Sequence, residues 1–278
     1  MRKILIFSDG GLGNRLNSLI GGLLTSPLIG TQPEICWPIN NWCRCHFDDL
    51  FSTELSVTSH SINEIFLDEQ KIYLIHENQL GKVFTNTYPH SLDSIEKIKN
   101  LTQDIVYFHN KIPSYFSTEK ILLSLSNFKI NEKILETVNY FCENNNITKQ
   151  VKGIHLRKTD HGRQLDSDAI WLQCKNDLHT RYFVCSDDKL TEEKFKQLPN
   201  ITIFPKEFYV EKLVEGSWND KIKDTDGRIF AYNVNRSKNS VIEAFIDLLI
   251  LSRTTIVIKN KSSFLGWAKI YSNLKTLE

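Results

Sequence analysis

The chain has 278 residues, and its 34 lysines and arginines against 33 acids give a formal net charge of +1. An apolar fraction of 41% and a charged fraction of 24% belong to an ordinary globular protein, with a length that suits about two domains. The charge balance excludes the basic footprint of a nucleic-acid binder, and no apolar stretch reaches membrane-spanning length, so any phosphate-bearing ligand must be held locally.

Residues 1–7 read as a strand whose apolar part, Ile4-Leu5-Ile6-Phe7, is too short for a signal-peptide core. A cytoplasmic location is the expectation. Gly10-Gly11-Leu12-Gly13-Asn14 reads as a tight loop. A helix is predicted over 15–24, with Leu16, Leu19, Ile20, Leu23 and Leu24 at helical spacing. Such a strand–glycine loop–helix unit lets backbone approach a ligand and points a helix N-terminus at it. It is not a dinucleotide fingerprint, because Leu16 stands where that motif needs a small residue. A tight strand-to-helix turn accounts for it equally well. A second strand is predicted within 31–38, and further strands over 71–76 and 104–108. Residues 117–125 and 131–143 read as helices, and the polar run Glu143-Asn144-Asn145-Asn146 marks a domain boundary near 148.

The second half alternates strand and helix, which predicts a mostly parallel α/β domain. A buried strand over 151–156 carries His155 and is followed by Arg157, Lys158, Thr159 and Asp160. In open α/β sheets ligands bind outside the carboxyl ends of strands. A guanidinium fork and an ammonium at such a place suit phosphate oxygens. Asp166 or Ser167 is expected to cap a helix through Ile170, Trp171 and Leu172. Strands are predicted over 181–185, 201–204 and 255–258, and helices from Thr191 to Pro199 and over 240–251. Asp247 lies on that last, apolar helix, so its carboxylate is expected to turn to a polar partner. After the final strand, Ser262 and Ser263 stand before a helix, where hydroxyls and free N–H groups can hold phosphate or simply cap. Residues 237–240 offer a similar loop.

Six cysteines are expected to be reduced, buried thiols. Cys36, Cys43, Cys45 and His46 lack the paired spacing of a zinc knuckle. Of three acidic pairs, Asp166/Asp168 reads as a helix start and Asp224/Asp226 as a turn. Asp187/Asp188 ends a strand on the face where His155 and Arg157 emerge, where Asp187 can accept hydrogen bonds from a base or ribose. No metal is expected. No P-loop and no Gly-x-Ser-x-Gly elbow occurs, which disfavours sulfotransferases, nucleotide hydrolases and serine hydrolases.

Four segments occur in a telling order: Gly10-Gly11-Leu12-Gly13-Asn14-Arg15-Leu16, Gly153-Ile154-His155-Leu156-Arg157-Lys158-Thr159-Asp160, Val184-Cys185-Ser186-Asp187, and Asp247-Leu248-Leu249-Ile250-Leu251-Ser252-Arg253 with Ser262-Ser263-Phe264. This set resembles the fucosyltransferase superfamily of α-1,6-fucosyltransferases, nodulation fucosyltransferases and protein O-fucosyltransferases. The resemblance is strongest over 151–270. It implies an α/β, GT-B-like fold with two Rossmann-like domains facing a cleft. Residues 1–148 would form the N-terminal, acceptor-side domain and 149–278 the C-terminal, nucleotide-sugar-binding domain. It implies GDP-fucose as donor substrate, a glycan or other hydroxyl as acceptor, inversion, and no cofactor or metal.

The resemblance places Arg157 on the donor diphosphate as a catalytic group and His155 by the nucleotide. It places Asp187 on the base or ribose, Ser262, Ser263 and Phe264 near the phosphates, and Asn14 at the donor–acceptor junction. Lys158, where α-1,6 members commonly have a second arginine, is a neighbouring donor contact. Asp9, just ahead of the glycine loop, is the candidate base for the acceptor hydroxyl. The alternative is a non-catalytic nucleotide- or carbohydrate-binding protein on the same scaffold.

Overall fold

A computed structural model of the chain describes residues 2–60, 64–65, 71–75, 87–159, 166–258 and 262–274. Asp160, His161, Gly162 and Arg163 of the expected polar loop, together with Lys259, Asn260, Lys261 and His76, lie outside the described residues. Contacts group residues 1–40 and 46–129 in one unit and residues 41–45 and 130–278 in another. No helix among the described residues is long and apolar enough to cross a membrane.

The first unit is built on a parallel sheet. Its strands are β1 (Lys3–Phe7), β2 (Gln32–Cys36), β3 (Val57–Thr58), β4 (Ile72–Ile75), β5 (Thr87–Pro89) and β6 (Ile105–Phe108), in the order β3-β2-β1-β6-β4-β5. The helices α1 (Leu12–Thr25), α2 (Leu92–Lys99) and α3 (Thr118–Leu125) belong to the same unit. Strand β1 is the point where the order reverses, so the loop after it lies at the sheet's topological switch point. Its core gathers Ile4, Ile6, Leu74, Ile98, Ile105 and Tyr107, and Phe7 stacks at a tilt on Phe108 with centroids 5.3 Å apart. Helix α1 starts at Leu12, ahead of the expected residue 15, because the amides of Asn14 and Arg15 already bond back to the Gly11 carbonyl. Glycines are needed on its inner face. A Cβ on Gly22 would stand 2.6 Å from Ile6 and one on Gly21 would stand 2.3 Å from the Tyr107 hydroxyl.

The second unit repeats the plan. It comprises α4 (Glu132–Asn144), β7 (Lys152–Leu156), α5 (Ser167–Asn176), β8 (Tyr182–Ser186), α6 (Lys189–Phe195), β9 (Ile201–Thr202), β10 (Lys221–Lys223), β11 (Ile229–Tyr232), α7 (Lys238–Ser252), β12 (Thr255–Ile256) and α8 (Ser263–Tyr271). Four parallel strands run in the order β9-β8-β7-β12. Here β7 is the switch point, with β8 on one side of it and β12 on the other. Strand β8 is buried along all five residues, as expected of a parallel strand covered on both faces. Helix α7 is buried continuously from Phe245 to Ser252, which explains its apolar run. Helix α4, expected in the first domain, packs in this unit, with Phe141 edge-on to Phe204 at 5.4 Å. Residues 41–45 also belong here. The Arg44 amide donates to the Arg236 carbonyl (3.1 Å) and the Arg236 amide to the Asn41 carbonyl (2.9 Å). Trp42 lies 5.2 Å from Tyr232 and 5.1 Å from the Arg236 guanidinium.

The caps follow the sequence closely. Asp166 accepts from the amides of Asp168 and Ala169, both at 3.0 Å, and so starts α5. Asp224 accepts from the amides of Asp226 and Arg228 in the expected turn. Ser237 caps α7 through the Ser240 amide. Strands over 201–204 and 255–258 are shorter than expected, ending at Thr202 and Ile256. The helix expected from Thr191 begins at Lys189, because Asp188 accepts from the Thr191 amide and hydroxyl at 2.8 and 2.6 Å.

Candidate active site

In the second unit the switch point gathers most of the expected donor-binding residues. Strand β7 ends at Leu156 and hands the chain to Arg157 and Lys158, both partly exposed. His155 is buried, and its ring stacks on Phe264 with centroids 4.4 Å apart and planes 19° from parallel. Burial pushes the imidazole pKa down to about 3, helped by the nearby charges of Arg157 and Lys206. The ring is therefore neutral at physiological pH, and its Nδ1 is buried with no hydrogen-bond partner among the described residues. A buried polar atom of this kind invites a ligand hydrogen bond.

The turn after β7 is tied to the end of β8. The Lys158 amide donates to Asp187 Oδ1 at 2.7 Å, and the Thr159 hydroxyl donates to Asp187 Oδ2. Asp187, expected on a base or ribose, is thus engaged with the loop that carries Arg157. Ser262 is the N-cap of α8, with its Oγ accepting from the Phe264 amide at 3.2 Å. Ser263 opens the helix, and the Phe264–His155 stack sets its first turn beside the last residues of β7. A helix start beside two cations is a place where an anion is stabilised.

Close by lies a cluster that the sequence did not mark. Lys206 follows the short strand β9 in an irregular stretch, and its side chain is 4% exposed. Its Nζ donates to the Ser186 carbonyl at 2.6 Å and stands 2.6 Å from Glu192 Oε1 and 2.5 Å from Asp247 Oδ2. Burial works against the ammonium, and the two carboxylates outweigh it, so the Lys206 pKa is raised. Asp247 has found the polar partner its helix demanded, although burial still raises its carboxyl pKa against the pull of Lys206. Two acids share one cation, and Asp247 Oδ1 has no hydrogen-bond partner among the described residues. Glu192, in the first turn of α6, is buried, with Oε2 accepting from the Tyr209 hydroxyl at 2.6 Å. The one available signal was an acid on an apolar helix, which needs a cation from elsewhere in the chain.

In the first unit, Asp9 and Asn14 flank the glycine loop after β1. Burial raises the Asp9 pKa, while its own backbone and Arg15 pull it down. The Asp9 carbonyl accepts from Asn40 Nδ2 at 2.8 Å. Gly10 is the close-approach residue, since a Cβ there would stand 3.0 Å from the Asn14 side chain. Arg15 holds the loop from beneath and is 1% exposed. Its Nε donates to the Gly10 carbonyl (2.6 Å), and its two terminal nitrogens donate to the Pro38 carbonyl (2.7 Å) and Asn40 Oδ1 (3.1 Å). Its guanidinium sits 5.0 Å from the Trp37 ring centre.

All six cysteines are buried free thiols, and Cys43 and Cys45 lie 3.5 Å apart at sulfur. Among the described residues no group of three or more His, Cys, Asp or Glu side chains is arranged to hold a metal ion.

No protein-family model and no curated protein matches the chain. Solved structures do. The NodZ α-1,6-fucosyltransferase soaked with GDP-fucose is similar at a TM-score of 0.57 and 15% identity, over 97% of this chain and 92% of that one. The fucosyltransferase NodZ from Bradyrhizobium gives 0.56 and 15%, over 96% and 92%. A variant of Arabidopsis thaliana FUT1 in complex with GDP gives 0.58 and 15%, over 99% of this chain and 69% of that one. Two parallel α/β units in this connectivity are therefore the fold that the chain shares with the NodZ and FUT1 fucosyltransferases.

Proposed function

We propose that the chain is a glycosyltransferase that moves fucose from GDP-fucose to a hydroxyl of a glycan or other acceptor. Transfer proceeds with inversion and without a metal. The observation that carries this reading is the switch point of the second sheet. There two cations, Arg157 and Lys158, stand with a helix start and the His155–Phe264 stack, as a nucleoside diphosphate requires. Solved structures of the same fold hold GDP or were soaked with GDP-fucose, which supports that donor.

In this reading the C-terminal half, from about residue 149, holds the donor and the N-terminal half presents the acceptor. The bond between fucose C1 and the diphosphate oxygen breaks through an oxocarbenium-like state, and negative charge grows on the diphosphate. A fixed guanidinium helps most as that charge develops, which makes Arg157 the catalytic cation and Lys158 its neighbour. Ser262, Ser263 and the first amides of α8 share the phosphate oxygens. The neutral His155 and Phe264 border the nucleotide, where His155 Nδ1, without a partner among the described residues, can take a hydrogen bond from it. Asp187 acts through the loop it holds. Asp9 takes the proton of the acceptor hydroxyl as it attacks C1 from the face opposite the diphosphate, and Asn14 lines that junction. Six free thiols fit a reducing, cytoplasmic location.

The test is release of GDP from GDP-fucose by the purified chain with a panel of oligosaccharide acceptors. Arg157→Ala is expected to lower turnover about a hundredfold or more. Parent-like transfer by that variant would remove Arg157 from its role. A parent that binds GDP and releases none from GDP-fucose with any acceptor would make the chain a binding protein instead.

A further inference from the structure

The end of strand β8 is clamped on every side by buried groups. The Ser186 amide donates to Glu192 Oε1 at 2.7 Å and its carbonyl accepts from Lys206 at 2.6 Å. The Ser186 hydroxyl donates to the Leu156 carbonyl at 2.7 Å and accepts from the Asp188 amide at 3.1 Å. The next residue is Asp187, whose carboxylate holds the Lys158 amide and the Thr159 hydroxyl. Hydrogen bonds on either side of the Ser186–Asp187 backbone thus link Lys206 to the loop that carries Arg157.

We propose that Lys206 is a positioning residue of this site: it fixes the end of β8 and, through Asp187, the placement of Arg157 and Lys158. The proposal rests on the donor reading for its kinetic consequence and on geometry alone for its structural one. Lys206 is suited to the task because it is the cation at the meeting point of three elements. Glu192 comes from α6, Asp247 from α7 and the Ser186 carbonyl from β8. Its attraction for both acids holds the two helices against the strand end. Without it, two buried carboxylates face each other, and the repulsion bears on the clamp at Ser186. A reacting group displaced by about 1 Å can lose a hundredfold in rate, so a modest shift of Arg157 is enough to be read.

The experiment is Lys206→Met in the full chain, read by amide hydrogen exchange and by GDP-fucose kinetics well below the melting temperature. Exchange at the Lys158 amide is expected to rise about tenfold or more, while amides of β1 in the other unit keep parent rates. The kcat/KM for GDP-fucose is expected to fall roughly tenfold to a hundredfold, and Lys206→Arg is expected to restore part of it. Parent-like exchange at Lys158 overturns the proposal, as does raised exchange with parent-like kcat/KM. If the parent neither binds GDP nor consumes GDP-fucose, the donor reading fails, and the exchange measurement still decides the role of Lys206. If Lys206→Met does not fold, Glu192→Gln keeps the shape, removes one charge of the clamp and is judged by the same two readouts.

Discussion

Arg15 gives the sharpest test of how the glycine loop is held. Replacing it with methionine keeps much of the volume and removes every donor. The carbonyls of Gly10 and Pro38 and Asn40 Oδ1 then lose bonds of 2.6, 2.7 and 3.1 Å to a guanidinium that is 1% exposed. Hydrogen bonds to a charged group contribute about 1.5–3 kcal/mol each, but groups sharing one side chain do not add. The expected loss is about 3–5 kcal/mol, because each buried acceptor left without a donor costs about 1–3 kcal/mol and the three costs overlap. At roughly 4 °C per kcal/mol for a unit of this size, thermal unfolding should fall by roughly 12–20 °C. Circular dichroism melts of parent and variant measure it directly. Arg15→Lys should recover only a fraction, because one ammonium cannot meet three acceptors set in a fork. Asn40 also donates to the Asp9 carbonyl, so transfer should weaken alongside stability. A methionine variant that melts within about 2 °C of the parent would refute the claim that Arg15 supports the loop.

Asp9→Asn should separate activity from stability. The folded pKa of Asp9 is raised, so its stabilising contribution is present below the unfolded value and is lost as pH rises through the folded one. At neutral pH its charge therefore opposes folding, and the amide should melt higher than the parent, a gain that vanishes by about pH 3. The same variant should lose about 10²–10⁴-fold in transfer while binding GDP normally; an active Asp9→Asn enzyme excludes the base assignment. Gly153→Ala should destabilise by about 1–3 kcal/mol in urea unfolding, since a Cβ there would stand 2.0 Å from Thr254 Oγ1 and 2.6 Å from Leu251 Cδ1. A neutral effect would mean that α7 and its C-terminal turn yield easily. Transfer should survive EDTA in full, whereas strict dependence on added manganese would favour a metal held by Asp187 and Asp188.

Much of the second unit was legible because its signals are local. A buried run at 151–156, an aspartate before the helix at 167 and a serine before the helix at 263 each announce one element, and all three are found. The parallel sheet followed from simple alternation. What stayed hidden depends on partners far apart in the chain. Nothing local shows that Glu192 turns inward to Lys206, or that Lys206 meets Asp247 at a separation of 41 residues. Helix α2 escaped notice because it buries little beyond Ser94, Ile95 and Ile98 and leaves Leu92 exposed. Strand β3 has only two residues, too few to alternate. Arg15 read as the first residue of an amphipathic helix, and its charge gave no hint of burial.

The five residues 41–45 have a consequence for modularity. They are covalently part of the N-terminal half, yet Trp42 seats against Tyr232 and Arg236, and two main-chain bonds sew the segment to Arg236. A fragment beginning at 130 would uncover that aromatic seat, and one ending at 129 would carry an orphaned tryptophan. No single cut in the chain separates the two compact units, so neither can be exchanged for another as one contiguous piece.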